Sequence, residues 1–407
     1  MIALARPGSR SLATLAAAIA VGVALVLAGA LTSRSAPHGD AAALADDRVV
    51  AVLPGSGRIH SDDLRARLRA ARANPDDPAA ANAAARQLID EGRDAGDSRL
   101  VGAALGMLRP FLDTPDAEAL HLAATARQYQ HDFPGALDLL DRALAHSPRD
   151  AGALLDRATI NVVLGRLDTA DLDCRRLYAA ERPDLGFLCQ STTLTLTPEA
   201  PAVYARLEDV LSRADLLDGS LRSYGLGLLG EIAALQGDRD LARTHLAAAL
   251  AEEPEAVRIR MMLADLMLAG GDDDAALDLL EPSPDVDGVL LRRAIAAERL
   301  GRVALFDATR TELSRRFRQN LDLGLTAHAR EEARFYLEVE HDPQLALARA
   351  RLDWDLQREI EDAQLLIDAA VAADEPAAAA PVLRWMEDNA LSVPALRIPD
   401  AVRVAAR

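Results

Sequence analysis

The sequence predicts an all-α protein, an α-solenoid of about nine helix-turn-helix hairpins, and three observations carry that prediction. Hydrophobic residues make up 50% of the chain but aromatic residues only 3%, so the apolar content is mostly Ala and Leu, strong helix formers with little side-chain entropy to lose. Apolar residues recur at helical spacing in short amphipathic segments punctuated by Gly or Pro. One plan also recurs with a spacing of 34 residues. A single hairpin cannot bury its apolar face alone, so such units must stack, each against its neighbours.

Taken in order, residues 1–34 read as a signal peptide or a single transmembrane anchor. Arg6 and Arg10 precede an uncharged stretch ending at Arg34, and its apolar run from Leu12 to Leu31 matches the ~20 residues that cross a bilayer's hydrocarbon. Ala28 and Ala30 offer a small-x-small cleavage pattern, while the run exceeds the roughly 7 to 15 residues of a cleavable signal, so both outcomes stand. Either way the remainder is expected in the periplasm, anchored in the inner membrane by residues 12–31 or released. No Cys lies near the run, which removes a lipoprotein anchor. Residues 35–62, with Pro37, Gly39, Pro54, Gly55 and Gly57, read as a flexible spacer, 63–391 as the solenoid and 392–407 as a C-terminal tail.

Within the solenoid, residues 117–150 give an apolar-periodic helix, a turn at His131 to Gly135, a second amphipathic helix and a stop at Pro148. Residues 151–184 repeat the plan, with Ala158 where Ala124 stood, a Leu164-Gly165-Arg166 turn, and Ala170 where Ala136 stood. In residues 223–256, Gly230, Ala242, Ala249 and Pro254 fall on the small-residue and proline positions. Small side chains there let paired helices approach closely, while Leu120, Leu154, Leu226, Leu140 and Leu246 fill the space between. Ala264 and Ala276 carry the pattern through 257–286, and Ala294 and Gly301 through 287–320, where Phe306 replaces the small residue and predicts wider packing. Residues 77–116, 185–222, 321–357 and 358–391 also read as hairpins, without the 34-residue spacing. This pattern resembles the tetratricopeptide repeat.

The resemblance implies a fold in which the first helix of each hairpin lines a concave groove that receives a peptide or a partner helix. Carried over by position, the groove residues are Glu118, His121, Thr125, Gln128 and Tyr129, then Tyr224, Gly227 and Glu231, then Arg258, Met261 and Asp265, and finally Leu291, Ile295 and Glu298. The family's basic clamp for a C-terminal carboxylate is not reproduced, so capture of a chaperone tail is disfavoured.

Composition and motifs narrow the function further. A net charge of -18 and an isoelectric point near 4.9 disfavour a nucleic-acid surface, which needs a basic stripe to neutralise phosphates; all 45 basic residues are Arg, a compositional bias rather than a functional device. Gly225-Leu226-Gly227-Leu228-Leu229-Gly230 satisfies a dinucleotide fingerprint, but it lies within a predicted helix rather than in the turn after a strand. Asp272-Asp273-Asp274 sits at an inter-helix turn, where acids favour the next helix N-terminus. The eight His residues show no i, i+4 pair, and no Gly-x-Ser-x-Gly elbow occurs. No catalytic, cofactor or metal residue is therefore assigned. The expectation is a non-catalytic interaction scaffold or adaptor of the bacterial cell envelope, holding a protein or peptide of unknown identity. The alternative is an envelope enzyme, or an accessory subunit of one, with an unrecognised site.

Cys174 and Cys189 are the only cysteines. Counted outward from the reversal at Arg182-Pro183-Asp184, they lie about eight and six residues along antiparallel helices, or ~12 and ~9 Å at ~1.5 Å per residue. Matching heights and an exported location make a disulfide possible; the alternative is two small buried apolar thiols.

Overall fold

The computed structural model describes residues 61–407 apart from 96, 214–216, 218, 323–325, 327 and 406–407, so the expected leader and nearly all of the spacer lie outside the described residues. Those residues hold twenty α-helices and no strand. After α1 (Asp62–Ala73), eighteen helices pair as nine antiparallel hairpins. They are α2 (Pro78–Ala95) with α3 (Ser98–Leu108), α4 (Ala117–Tyr129) with α5 (Phe133–His146), and α6 (Ala151–Val163) with α7 (Leu167–Ala179). Next come α8 (Pro183–Leu194) with α9 (Ala200–Ser212), α10 (Gly219–Gln236) with α11 (Arg239–Glu252), and α12 (Val257–Gly270) with α13 (Asp273–Leu280). The last are α14 (Asp287–Arg299) with α15 (Val303–Asp322), α16 (Ala329–Glu338) with α17 (Pro343–Leu356), and α18 (Ile360–Ala372) with α19 (Ala380–Asp388), followed by α20 (Asp400–Ala405). No helix among the described residues is long and apolar enough to cross a membrane.

The turn inside most hairpins is built from one local device. His131, Gly165, Gly237, Gly271, Gly301, His341 and Asp374 each adopt positive φ just after a first helix, the left-handed residue that ends a helix and reverses the chain. An acidic cap often follows. Asp132, Asp238 and Asp342 each accept from a backbone N–H in the first turn of the second helix, at 3.0 Å from Gly135, Leu241 and Leu345. That satisfies a donor with no partner inside its helix.

Packing follows the small-residue positions. Ala124, Ala136, Ala158, Ala170, Ala242, Ala249, Ala264, Ala276 and Ala294 are all buried, between leucines that fill the hairpin interiors. Core clusters run along the array without a break in sequence order, each hairpin covering the apolar face of the one before it. Gly225, Gly227 and Gly230 lie in the interior of α10, as the sequence requires of a false dinucleotide signal. A Cβ at Gly230 would sit 2.7 Å from Leu246 Cγ of α11, so the glycine permits that close approach. Phe306 is only half-buried on α15, packed against the core beneath the seventh hairpin. The structure joins Cys174 of α7 to Cys189 of α8 in a disulfide with a Cα–Cα distance of 5.3 Å.

The array returns on itself. Arg358 N–H donates to Val163 O at 2.7 Å and Trp385 Nε1 donates to Gly165 O at 3.3 Å, so the ninth hairpin meets the third. Gly165 is required here because a Cβ would stand 2.5 Å from Trp385 Nε1. Residues 392–405, expected as a tail, pack instead on the solenoid. Ser392 N–H donates to Leu196 O at 2.7 Å and Ala395 N–H to Leu235 O at 3.0 Å, while Val393, Leu396 and Val402 join a core cluster with Leu167, Leu196 and Leu235. Apolar side chains in that segment and unpaired carbonyls at helix ends explain why it docks.

Candidate functional site

Because the array closes, its first helices face one another across an interior. Successive first helices are tied by ion pairs: Arg86 to Glu118 at 2.8 Å between α2 and α4, His121 to Asp156 at 3.1 Å between α4 and α6, and Arg292 to Asp265 between α14 and α12. Arg334 of α16 also reaches Asp265 at 2.8 Å, crossing over a hairpin. Burial would raise Asp265, but Arg334 and Arg292 hold its carboxyl below the ordinary range.

Farther along the interior lies a mixed cluster drawn from hairpins distant in sequence. Tyr224 and Glu231 come from α10, Arg258 from α12, Arg330 from α16, and Glu359 and Glu361 from the start of α18. Tyr224 shares a 2.7 Å hydrogen bond with Thr192, and Arg258 stands 3.9 Å from Glu231. Arg330 pairs with Glu359 and donates from Nη2 to Asp362 Oδ2 at 2.9 Å. Tyr224 and Arg258 keep solvent-accessible side chains, at 42% and 61% exposure, although protein surrounds them. They line an accessible inner face rather than a packed core.

The electrostatics express that enclosure. The surrounding protein raises Glu361 to about 7 by desolvation, with Glu359 adding repulsion and Arg330 opposing it, although its side chain stays exposed to solvent. Glu231 is raised by burial, against the pull of Arg258. Behind the cluster, burial and the neighbouring Asp362 push Asp353 up to about 9. Gln357 Nε2 donates to Asp353 Oδ1 at 3.0 Å.

The residues expected from sequence separate into three groups. Tyr224, Glu231, Arg258 and Asp265 converge on the interior. Glu118, His121, Thr125 and Glu298 are engaged in inter-helix pairs: Thr125 Oγ1 donates to Asp156 Oδ2 at 2.8 Å, and Glu298 pairs with His341 at 3.1 Å. Gln128 is half-buried, Tyr129 packs on the first core cluster, and Met261 lies over Gly288 against Arg292. Leu291 and Ile295 are not groove residues. They are 1% and 2% exposed because α14 is packed by α12 and α16 on both flanks, which buries its inner face as well. Gly227 is likewise closed off, with Ile259 Cδ1 at 2.7 Å from a Cβ built there.

Arg330, Arg334, Glu359 and Glu361 escape a reading by repeat because they belong to hairpins whose spacing departs from 34 residues. The usable signal is weak: Arg330 and Asp362 lie 32 residues apart, near the repeat spacing. Among the described residues, no group of three or more His, Cys, Asp or Glu is arranged to hold a metal.

Sequence models of the tetratricopeptide repeat match residues 121–184 and 233–297. No curated protein matches the chain. Solved structures to which the chain is similar include a Rap protein complexed with competence and sporulation factor, at 14% identity and a TM-score of 0.49, covering 77% of this chain and 98% of that one. Others are NprR in complex with its cognate peptide NprX, at 14% identity, TM-score 0.38 and coverage of 77% and 97%, and a tetratricopeptide repeat protein from Parabacteroides merdae, at 15% identity, TM-score 0.36 and coverage of 70% and 98%. Residues 121–184 and 233–297 are thus tetratricopeptide repeats, and the described chain is an all-helical solenoid built around them.

Proposed function

We propose that the protein is a non-catalytic interaction scaffold that holds a peptide or protein segment against the inner face of its solenoid, and that it works in the bacterial cell envelope. The observation that carries the binding reading is the accessible inner face, where Tyr224, Glu231 and Arg258 from adjacent first helices keep solvent-accessible side chains. Tyr and Arg commonly anchor partners, because each offers large contact area with directed hydrogen bonding. The envelope reading draws on Arg6, Arg10 and the uncharged run to Arg34, and an alkaline phosphatase fusion after residue 60 should be active in a bacterial host. An inactive fusion would remove the envelope from the proposal.

The test of the site is comparative capture with the full chain. Tyr224→Ala and Arg258→Ala should each release a partner retained by the native protein, at a cost of more than ~1 kcal/mol, with helicity unchanged. Normal capture by both variants would move the partner off the inner face. The competing reading, an enzyme or an accessory subunit of one, draws on Glu361, whose pKa of about 7 suits proton transfer near neutrality. Glu361→Gln discriminates: a scaffold keeps its partner, and an enzyme using that carboxyl loses turnover while keeping substrate binding.

A further inference from the structure

The segment leaving α19 combines four features that a simple terminus does not need. Residues 391–399 form neither helix nor strand, but Leu396 N–H donates to Val393 O at 3.1 Å, closing a turn over Pro394. The turn places Val393 and Leu396 in a shared core cluster with Leu196 and Leu235, each 9% exposed or less. Its backbone donors at Ser392 and Ala395 meet the carbonyls of Leu196 and Leu235, just past the end of α8 and in the last turn of α10, where helix carbonyls lack partners of their own. On the far side, Gln364 of α18 brackets Arg397, accepting from its N–H at 2.9 Å and donating to its carbonyl at 3.3 Å.

All of these are contacts that a segment from another chain could reproduce. The seat supplies apolar side chains and backbone acceptors that do not depend on which chain supplies the donors. The occupant has no regular structure of its own, and of residues 391–399 only Val393 and Leu396 are buried, so few apolar contacts hold it.

We infer that the seat formed by Leu196, Leu235 and Gln364 is a docking site for an apolar-Pro-x-apolar turn, occupied in cis by Val393-Pro394-Ala395-Leu396 and opened when a partner segment of the same chemistry displaces it. The inference rests on the proposed scaffold role only for what the displacement serves; the seat itself is tested without any partner. A tethered occupant acts at millimolar effective concentration, so it masks the seat from weaker free ligands.

The experiment uses the full chain and a fluorescein-labelled synthetic peptide of residues 389–399, read by anisotropy. Val393→Asp with Leu396→Asp should release the cis turn and bind the free peptide saturably, at least tenfold more tightly than the native chain does. Adding Leu235→Asp should abolish that binding, whereas adding Tyr224→Ala should leave it intact, which separates the seat from the inner-face site. Absence of saturable binding to the released chain, or equal binding by native and released chains, overturns the inference. If the double variant loses helicity, hydrogen exchange on the native protein decides: Ser392 and Ala395 amides exchanging well ahead of α18 and α19 support a displaceable turn, and exchange only together with those helices overturns it.

Discussion

At the scale of single residues, charge pairing between first helices does more than decorate the surface, and His121 shows how. Burial disfavours its charge, but Asp150 and Asp156 together raise it to about 9 from an ordinary value of 6.5. A raised histidine stabilises fully below its unfolded pKa, and the contribution disappears as pH climbs from about 6.5 through about 9. The shift corresponds to at most about 3–4 kcal/mol. Thermal unfolding of native protein and His121→Asn, each followed from pH 6 to 10, should therefore differ most below pH 6.5 and converge above 9. A constant difference would mean that packing, not charge, is what His121 contributes. The sequence could nominate His121, Tyr224, Glu231, Arg258 and Asp265 because each sits on a recognisable first helix. It could not show which would be spent on pairing and which would stay accessible, since that depends on the acid or base one repeat away. Leu291 and Ile295 failed for a related reason: position on a first helix does not reveal that both flanking hairpins close over α14.

At the scale of elements, the glycines of α10 allow a paired prediction. Alanine favours a helix interior over glycine by ~1 kcal/mol. At Gly227 the one obstacle to a methyl group among the described residues is the tip of Ile259, a side chain able to turn away, so Gly227→Ala should be neutral or stabilising in urea unfolding. At Gly230 the methyl would press on Leu246 Cγ at 2.7 Å and lie 3.2 Å from Ala242 O, so Gly230→Ala should cost about 1–3 kcal/mol by overpacking. Equal effects would show that α10 and α11 yield to the added bulk. The bond between α7 and α8 closes a loop of 15 residues, and its loss should cost about 3 kcal/mol in the chain-entropy model. Denaturant unfolding with and without reductant measures that cost, and labelling of denatured, unreduced protein should find no reactive thiol. Two labelled thiols per chain would mean that the bond does not form in the cell. The hairpins themselves were legible, because 34-residue periodicity, small residues and turn glycines are local signals. Whether Cys174 and Cys189 face each other was not, since a helix rotation of a few tens of degrees decides it.

At the scale of the molecule, the return of the ninth hairpin to the third was invisible in sequence. Its contacts span 220 residues between Gly165 and Trp385, and no periodic pattern encodes the sum of many small rotations between neighbours. Trp385→Ala removes a buried ring 5.5 Å from Trp354 and opens the closure, and should cost about 3–5 kcal/mol in denaturant unfolding. Hydrogen exchange at Gly165 to Leu167 should rise in the same variant; unchanged protection there would place the loss within the ninth hairpin alone. Closure also alters how errors add. In an open array each unit answers only to its neighbours, and a small change in one crossing angle merely reorients the units beyond it. Here six successive steps carry the chain from the third hairpin to the ninth, so angular deviations accumulate and must cancel for Trp385 to find Gly165. The seam acts as a gauge of the whole arc, and a substitution on any hairpin between them would register there as a misfit at a distance.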